Sequence, residues 1–180
     1  MLRAAAAQVL LEGGFAALTH RAVAARAEVP LASTTYYFAS VDDLAEQALR
    51  HATRTWLAAS EAALACLPSR LGTAPATARG LLAVVTGGST DRASLSAMYE
   101  RYLEAGRQPG LRPLVVAANA EVVALVAGVL GRAGRRSGAA RMVLAAIDGL
   151  LLAALAEGRP EPAASIVREL SRLVALLPRT

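Results

Sequence analysis

A chain of 180 residues that is 55% hydrophobic and only 4% aromatic can bury one large core or two small ones, which excludes a disordered chain. Its formal net charge of +5 is carried by arginine without any lysine, yet residues 1–50 hold four arginines against five acids, so bulk charge alone is no argument for nucleic acid. The single cysteine, Cys66, excludes an intrachain disulfide and a cysteine zinc site, and its apolar surroundings (ALACL) predict a buried thiol.

Helix formers dominate and no β-branched alternating run occurs, so the predicted fold class is all-α, with about nine helices. The first helix spans residues 2–12 and ends at Gly13-Gly14, with Phe15 and Leu18 turning into a small core. Thr19 is a good N-cap for a second helix running to about residue 27, with Val23 facing inward. Glu28-Val29-Pro30 forms the turn, and Pro30 suits a helix start because it has no N–H to leave unpaired. A third helix covers residues 31–38. Ser40 then caps a fourth, with Asp42 and Asp43 in its first turn complementing the helix dipole. That helix continues to about residue 67 with Leu44, Leu49, Trp56, Leu57 and Leu64 on its buried side.

Residues 68–75 read as a loop, followed by helices near 76–86, 91–106 and 113–131. Gly87-Gly88-Ser89 breaks the first of these, and the arginine-bearing segment 132–138 reads as another loop. The last two helices are expected over 139–157 and 162–177, separated by Gly158-Arg159-Pro160. Met142, Ile147, Leu151 and Leu155 lie on a helix that is apolar nearly all round, and Ile166, Leu170, Leu173 and Leu177 form a stripe on the final one. The surplus apolar face is expected to meet a second copy of the chain in a four-helix dimer interface, giving a homodimer.

Two short helices joined by a tight turn are the layout that places a helix in the DNA major groove. Here the pattern runs Leu18-Thr19-His20-Arg21-Ala22-Val23-Ala24, Ala27-Glu28-Val29, Ser33-Thr34-Thr35, Tyr36-Tyr37-Phe38 and Ser40-Val41-Asp42-Asp43-Leu44. In residue type, spacing and capping it resembles the helix-turn-helix of TetR-family transcriptional regulators over about a quarter of the chain. The remainder resembles the family in helical layout. The resemblance implies an N-terminal three-helix DNA-binding domain at 1–45 and a C-terminal helical ligand-binding and dimerisation domain at 46–180. The implied function is a ligand-responsive transcriptional regulator, a repressor released by a small hydrophobic effector, acting on double-stranded DNA at a pseudo-palindromic operator.

The residues carry roles of their own within the span 19–38. Thr19 can cap helix two and touch phosphate, and Arg21 can reach a phosphate or a guanine edge. Leu31 and Ala32 offer apolar base contacts, Ser33 and Thr35 offer hydroxyls, and the Tyr37 hydroxyl can reach a phosphate. Tyr36 and Phe38 are two apart, and one or both should anchor helix three. Glu28 stands where the motif has glycine, so a positive φ costing about 1 kcal/mol is expected there, and Val41 replaces a lysine. For the effector, Trp56, Met98, Tyr99, Tyr102, Asn119, Met142 and Asp148 are candidate pocket residues, giving apolar walls with a few polar groups.

An enzyme is not expected. His20 and His51 are the only histidines, no metal-ligand spacing occurs, and no nucleophile or phosphate-loop signature is present, so no catalytic residues, cofactor or metal are assigned. The alternative function is a helical small-molecule-binding or scaffold protein with weak or lost DNA binding. The first residues lack a secretory signal pattern. The longest apolar stretch, at about 15 residues, falls short of the roughly 20 a bilayer needs, so a cytoplasmic protein with no membrane partner is expected.

Overall fold

The computed structural model describes residues 1–159 and 162–179; Pro160, part of the expected break, lies outside the described residues. Among these, nine α-helices follow one another: α1 (Leu2–Ala17), α2 (His20–Arg26), α3 (Leu31–Tyr37), α4 (Val41–Cys66), α5 (Ala74–Thr86), α6 (Arg92–Arg107), α7 (Arg112–Arg132), α8 (Ala140–Ala156) and α9 (Pro162–Leu176). A short 3-10 turn, Ser137–Ala139, precedes α8.

Side chains satisfy the orphan N–H groups at several helix starts. The Thr19 hydroxyl accepts from Ala22 N at 3.1 Å, Thr73 from Ala76 N at 3.3 Å and Ser40 from Asp43 N at 3.0 Å. Asp43 returns the favour by accepting from Ala39 N at 2.9 Å, completing a reciprocal box around the start of α4. At α6 the Asp91 carboxylate accepts from Ser94 N at 2.8 Å. That bond, helped by the Ser94 and Ser89 hydroxyls, holds its pKa down at about 2.

Arginine does the corresponding work at helix C-termini, where carbonyls are left over. Arg112 Nε donates to Gly106 O (3.0 Å) at the end of α6, and Arg92 Nη2 to Leu155 O (2.8 Å) at the end of α8. Arg132 Nη1 donates to both Leu64 O (2.6 Å) and Leu67 O (2.8 Å) at the end of α4, and Arg135 Nη1 to Leu177 O beyond α9. Arg132 therefore belongs to the last turn of α7, not to the loop expected at 132–138.

Other sequence expectations hold or shift for local reasons. The glycine pair interrupts α1 as expected: Gly14 leaves helical geometry (φ 67°, ψ −170°), so the run to Ala17 continues beyond a kink, and a Cβ at Gly13 would come within 2.4 Å of Ala17 Cβ. Glu28 takes the positive φ predicted for it, at 54°. Cys66 is exposed rather than buried, since it ends α4 on the side away from the core.

The chain divides into two compact units. The first comprises Met1–Thr55 and Ala97–Val116, the second Trp56–Ser96 and Ala117–Thr180, so residue 45 falls inside the continuous helix α4. Leu10, Val23, Phe38 and Leu44 are fully buried in the core of the first unit, with Ala105 and Leu111 packed among them. In the second unit α5 packs against α9, and α8 packs against α9. Leu81, Val84, Val143, Ile147, Leu151, Ile166, Leu170 and Val174 are buried there within the single chain.

This burial corrects half of the expected dimer face. Ile147, Leu151, Ile166 and Leu170 form the protomer's own core, because they occupy the i, i+4 stripes along which α8 and α9 meet their neighbours. Met142 (70% exposed), Leu152 and Leu176 face outward, while Leu155, Leu173 and Leu177 are half-buried. Two helical segments, Arg112–Arg132 and Ser137–Ala156, are long and apolar enough to cross a membrane by length and composition alone, a length that the 15-residue estimate missed.

Arg132 joins the ends of α4 and α7 with two charge-assisted hydrogen bonds. Arg132→Met is expected to lower the stability of the folded chain by about 2 kcal/mol, measured by urea unfolding followed by circular dichroism. An unchanged midpoint would remove the capping role.

Candidate nucleic-acid interface

α3 is seven residues long, too short to persist without tertiary support. Two residues on one face supply that support. Thr34 is fully buried, its hydroxyl donating to Leu31 O at 2.8 Å and lying 3.4 Å from His20 O across the turn. Phe38, four residues on, is 1% exposed, and the His20 ring meets it edge-on at 6.3 Å. The turn before α3 is held by Val29 N donating to Ala24 O at 3.1 Å, which requires the unusual φ of Glu28. The carboxylate of Glu12 accepts from Nη1 and Nη2 of Arg26, tying α1 to α2; this hydrogen bonding holds the carboxyl below its usual range.

The rest of α3 is open. Leu31, Ala32, Thr35 and Tyr36 are exposed, and Ser33 is half-buried at the edge. Tyr36 is 94% exposed, so of the two candidate anchors only Phe38 serves. The reason is geometric: two residues apart on a helix differ by about 200°, so Tyr36 and Phe38 cannot both face one core. Thr35 donates its hydroxyl to Ala32 O at 3.1 Å and keeps its lone pairs for an outside donor. The Tyr37 ring packs edge-on against Phe38 at 4.8 Å and has the Arg3 guanidinium 5.5 Å from its centre. Thr19 and Arg21 are exposed at the start of α2, and Val41 is exposed at the start of α4. Thus Thr19, Arg21, Leu31, Ala32, Thr35 and Tyr37 share the surface of one small unit. Sequence reasoning left Tyr36 open between anchor and surface, and the 200° argument separates it from Phe38.

The effector candidates are divided between the units. Met98, Tyr99 and Tyr102 fall in the first, and Trp56, Asn119, Met142 and Asp148 in the second. Met142 lies too far out, at 70% exposed, to line an enclosed pocket. Trp56 is half-buried, its Nε1 donating to Val85 O at 3.2 Å, and its ring lies 3.1 Å from where a Cβ at Gly87 would stand. Next to that glycine, the Thr86 hydroxyl is buried with no hydrogen-bond partner, a polar group that sequence reading did not single out. Asp148 is a half-buried carboxylate and the only acid on α8. Among the described residues no group of three metal-ligating side chains occurs.

Residues 2–48 match the family of bacterial regulatory proteins, tetR family, and residues 76–176 match the tetracyclin repressor-like C-terminal domain. The multidrug binding protein EbrR complexed with proflavin is 35% identical, with a TM-score of 0.72, covering 96% of this chain and 96% of that one. EbrR is also seen complexed with ethidium and with malachite green. A TetR-family member from Streptomyces coelicolor A3 is 34% identical over 98% of this chain and 96% of its own, with a TM-score of 0.69. No curated protein matches the chain.

Burial separates the two adjacent aromatic positions. Phe38→Ala is expected to cost about 3–5 kcal/mol of unfolding free energy, whereas Tyr36→Ala should stay within about 0.5 kcal/mol of the parent. Urea unfolding of both variants decides it; comparable losses would place Tyr36 in the core.

Proposed function

The chain belongs to the TetR family of bacterial regulatory proteins, and from that premise we propose a ligand-responsive transcriptional regulator that reads double-stranded DNA with the open face of α3. The observation that carries this reading is the split of α3 into a buried anchor, Thr34 and Phe38, and an exposed face bearing Leu31, Ala32, Thr35 and Tyr36. Leu31 and Ala32 suit thymine methyl groups, Thr35 and the half-buried Ser33 suit base edges or phosphates, and Tyr37, Thr19 and Arg21 suit the flanking backbone. Tyr36 joins this set. It presents both an apolar ring and a hydroxyl to the groove.

Two copies acting together supply two reading helices for a pseudo-palindromic operator. The outward residues Met142, Leu152 and Leu176 support a homodimer built on the exposed side of α8 and α9, with Leu155, Leu173 and Leu177 at its margin. The apolar α7 and α8 then serve as body helices of a cytoplasmic protein, without a membrane partner. Sedimentation velocity tests this: the doubly substituted Met142→Asp/Leu152→Asp chain is expected to run as a monomer at concentrations where the parent runs as a dimer. Dimers of undiminished stability would place the interface elsewhere.

The effector we propose is a flat, lipophilic aromatic cation. The related EbrR is complexed with proflavin, ethidium and malachite green. Here the chemistry to match such a ligand is the half-buried Trp56 ring for stacking, the Asp148 carboxylate for charge and the unpartnered Thr86 hydroxyl for a polar contact. Binding favours one arrangement of the helical body over another, operator affinity falls, and transcription is released from repression.

Mobility shift with a duplex selected from a random pool tests the whole scheme. Tyr36→Ala should weaken that complex by about 1–3 kcal/mol, roughly five- to 150-fold. Ethidium should dissociate the parent complex, and Asp148→Asn should raise the ethidium concentration required about tenfold while leaving DNA affinity unchanged. A parent chain that selects no duplex would remove the DNA-reading function, and equal ethidium sensitivity in Asp148→Asn would remove Asp148 from effector binding.

A further inference from the structure

The first unit holds a second polar feature, apart from the face of α3. Gln47, Arg50, His51 and Arg54 stand at i, i+3, i+4 and i+7 of α4, a spacing that puts all four on one side of the helix. Arg3, in the first turn of α1, closes the other side, and together they line a cleft of about 330 Å³. The concentration of charge is local. Residues 1–50 carry more acids than arginines, yet two of their four arginines converge here with Arg54.

The neighbouring carboxylates cancel only part of this charge. Glu46 pairs with Arg50 at 2.6 Å, and Asp43, which accepts from Ala39 N, is reached by Gln47 Nε2 at 3.4 Å. Neither Arg3 nor Arg54 joins an ion pair among the described residues. Arg3 instead lies against the face of Tyr37, a weak hold for a guanidinium that a doubly charged anion would outcompete. α1 also begins without a side-chain cap and with no acid in its first turn, so nothing at that end opposes an anion.

We propose that this cleft is a phosphate-binding site, in which Arg3, Arg50 and Arg54 hold the oxyanion and Gln47 and His51 can donate to its remaining oxygens. Forked guanidinium groups match phosphate geometry, and three of them in one cleft are more than a solvated helix face needs. The phosphate has two possible sources, a phosphodiester of bound duplex or a small phosphorylated molecule free in solution. In either case Arg3 links the site to Tyr37 at the end of the reading helix.

The test compares the parent chain with Arg50→Gln/Arg54→Gln, using Arg107→Gln, an exposed arginine that does not line the cleft, as control. Circular dichroism first verifies that each variant is folded. If duplex is the source, the double variant lowers the slope of log affinity against log salt by about one to two, roughly 0.9 per lost phosphate contact, and the control does not. If a free molecule is the source, inorganic pyrophosphate raises the thermal midpoint of the parent and the control but not of the double variant, and the salt slope is unchanged. The proposal is overturned if pyrophosphate stabilises all three chains equally or none of them while their salt slopes agree. The pyrophosphate arm needs no DNA, so a parent that binds no duplex would defeat the regulator reading while leaving this site to be judged by itself.

Discussion

Everything this chain can do with a duplex depends on burying one aromatic ring. A seven-residue helix forms too few backbone bonds to offset its own ordering, so α3 exists because Phe38 and Thr34 fasten it from one side. That fastening also sets rotation. With Thr34 fixed inward, a 100° step per residue carries Ala32 and Tyr36, two residues to either side, round to the solvent side. The positive φ of Glu28 belongs to the same constraint. A residue that dislikes this conformation is held in it because the turn must close for the anchor to reach the core.

The charge of the molecule follows a different logic. A net +5 on a DNA-binding chain invites a reading in terms of attraction to phosphate, but the arginines of the second unit have structural work. Arg92, Arg132 and Arg135 each donate to carbonyls at a helix end, where the macrodipole also favours a cation. A guanidinium suits that task better than an ammonium, because its planar fork can serve two carbonyls at once, as Arg132 does for Leu64 and Leu67. The excess charge beyond residue 50 is thus in part a consequence of building a body from many helices joined by short loops. Around α3 the cationic groups are few and placed: Arg21 beside the start of α2, and Arg3 over Tyr37.

Local chemistry was legible in the sequence, and choices among faces were less so. Thr19, Ser40 and Asp43 announce their caps because a short side chain can reach only its own backbone, which makes the signal independent of the rest of the fold. The strain at Glu28 was readable for the same reason. The aromatic triplet left two anchors open, and helical geometry permits one. On α8 and α9 the apolar residues surround the helix, so periodicity had no contrast with which to tell the protomer core from an outer face. Ile147, Leu151, Ile166 and Leu170 went inward, and Met142 went outward. Cys66 looked buried because its neighbours are apolar, but small alanines beside a helix end provide no wall to cover it. The division into units was hidden altogether, since residues 97–116 join the N-terminal segment only through tertiary packing.

A cationic effector sets a demanding problem for a body with this charge. The arginines that cap its helices raise the potential felt by any approaching cation, so attraction cannot come from the protein as a whole. Recognition by the groups proposed here would have to be short-range, through the half-buried Trp56 ring and the Asp148 carboxylate. Such contacts are also the kind that distinguish two conformations. A long-range field acts nearly equally on both, whereas a stacked ring or a paired Asp148 is gained or lost by small movements of a helix. Only that difference in affinity can shift an equilibrium, however tightly the ligand binds. The charge pattern that makes the helical body easy to fold therefore favours an effector site whose specificity and switching power reside in the same few groups.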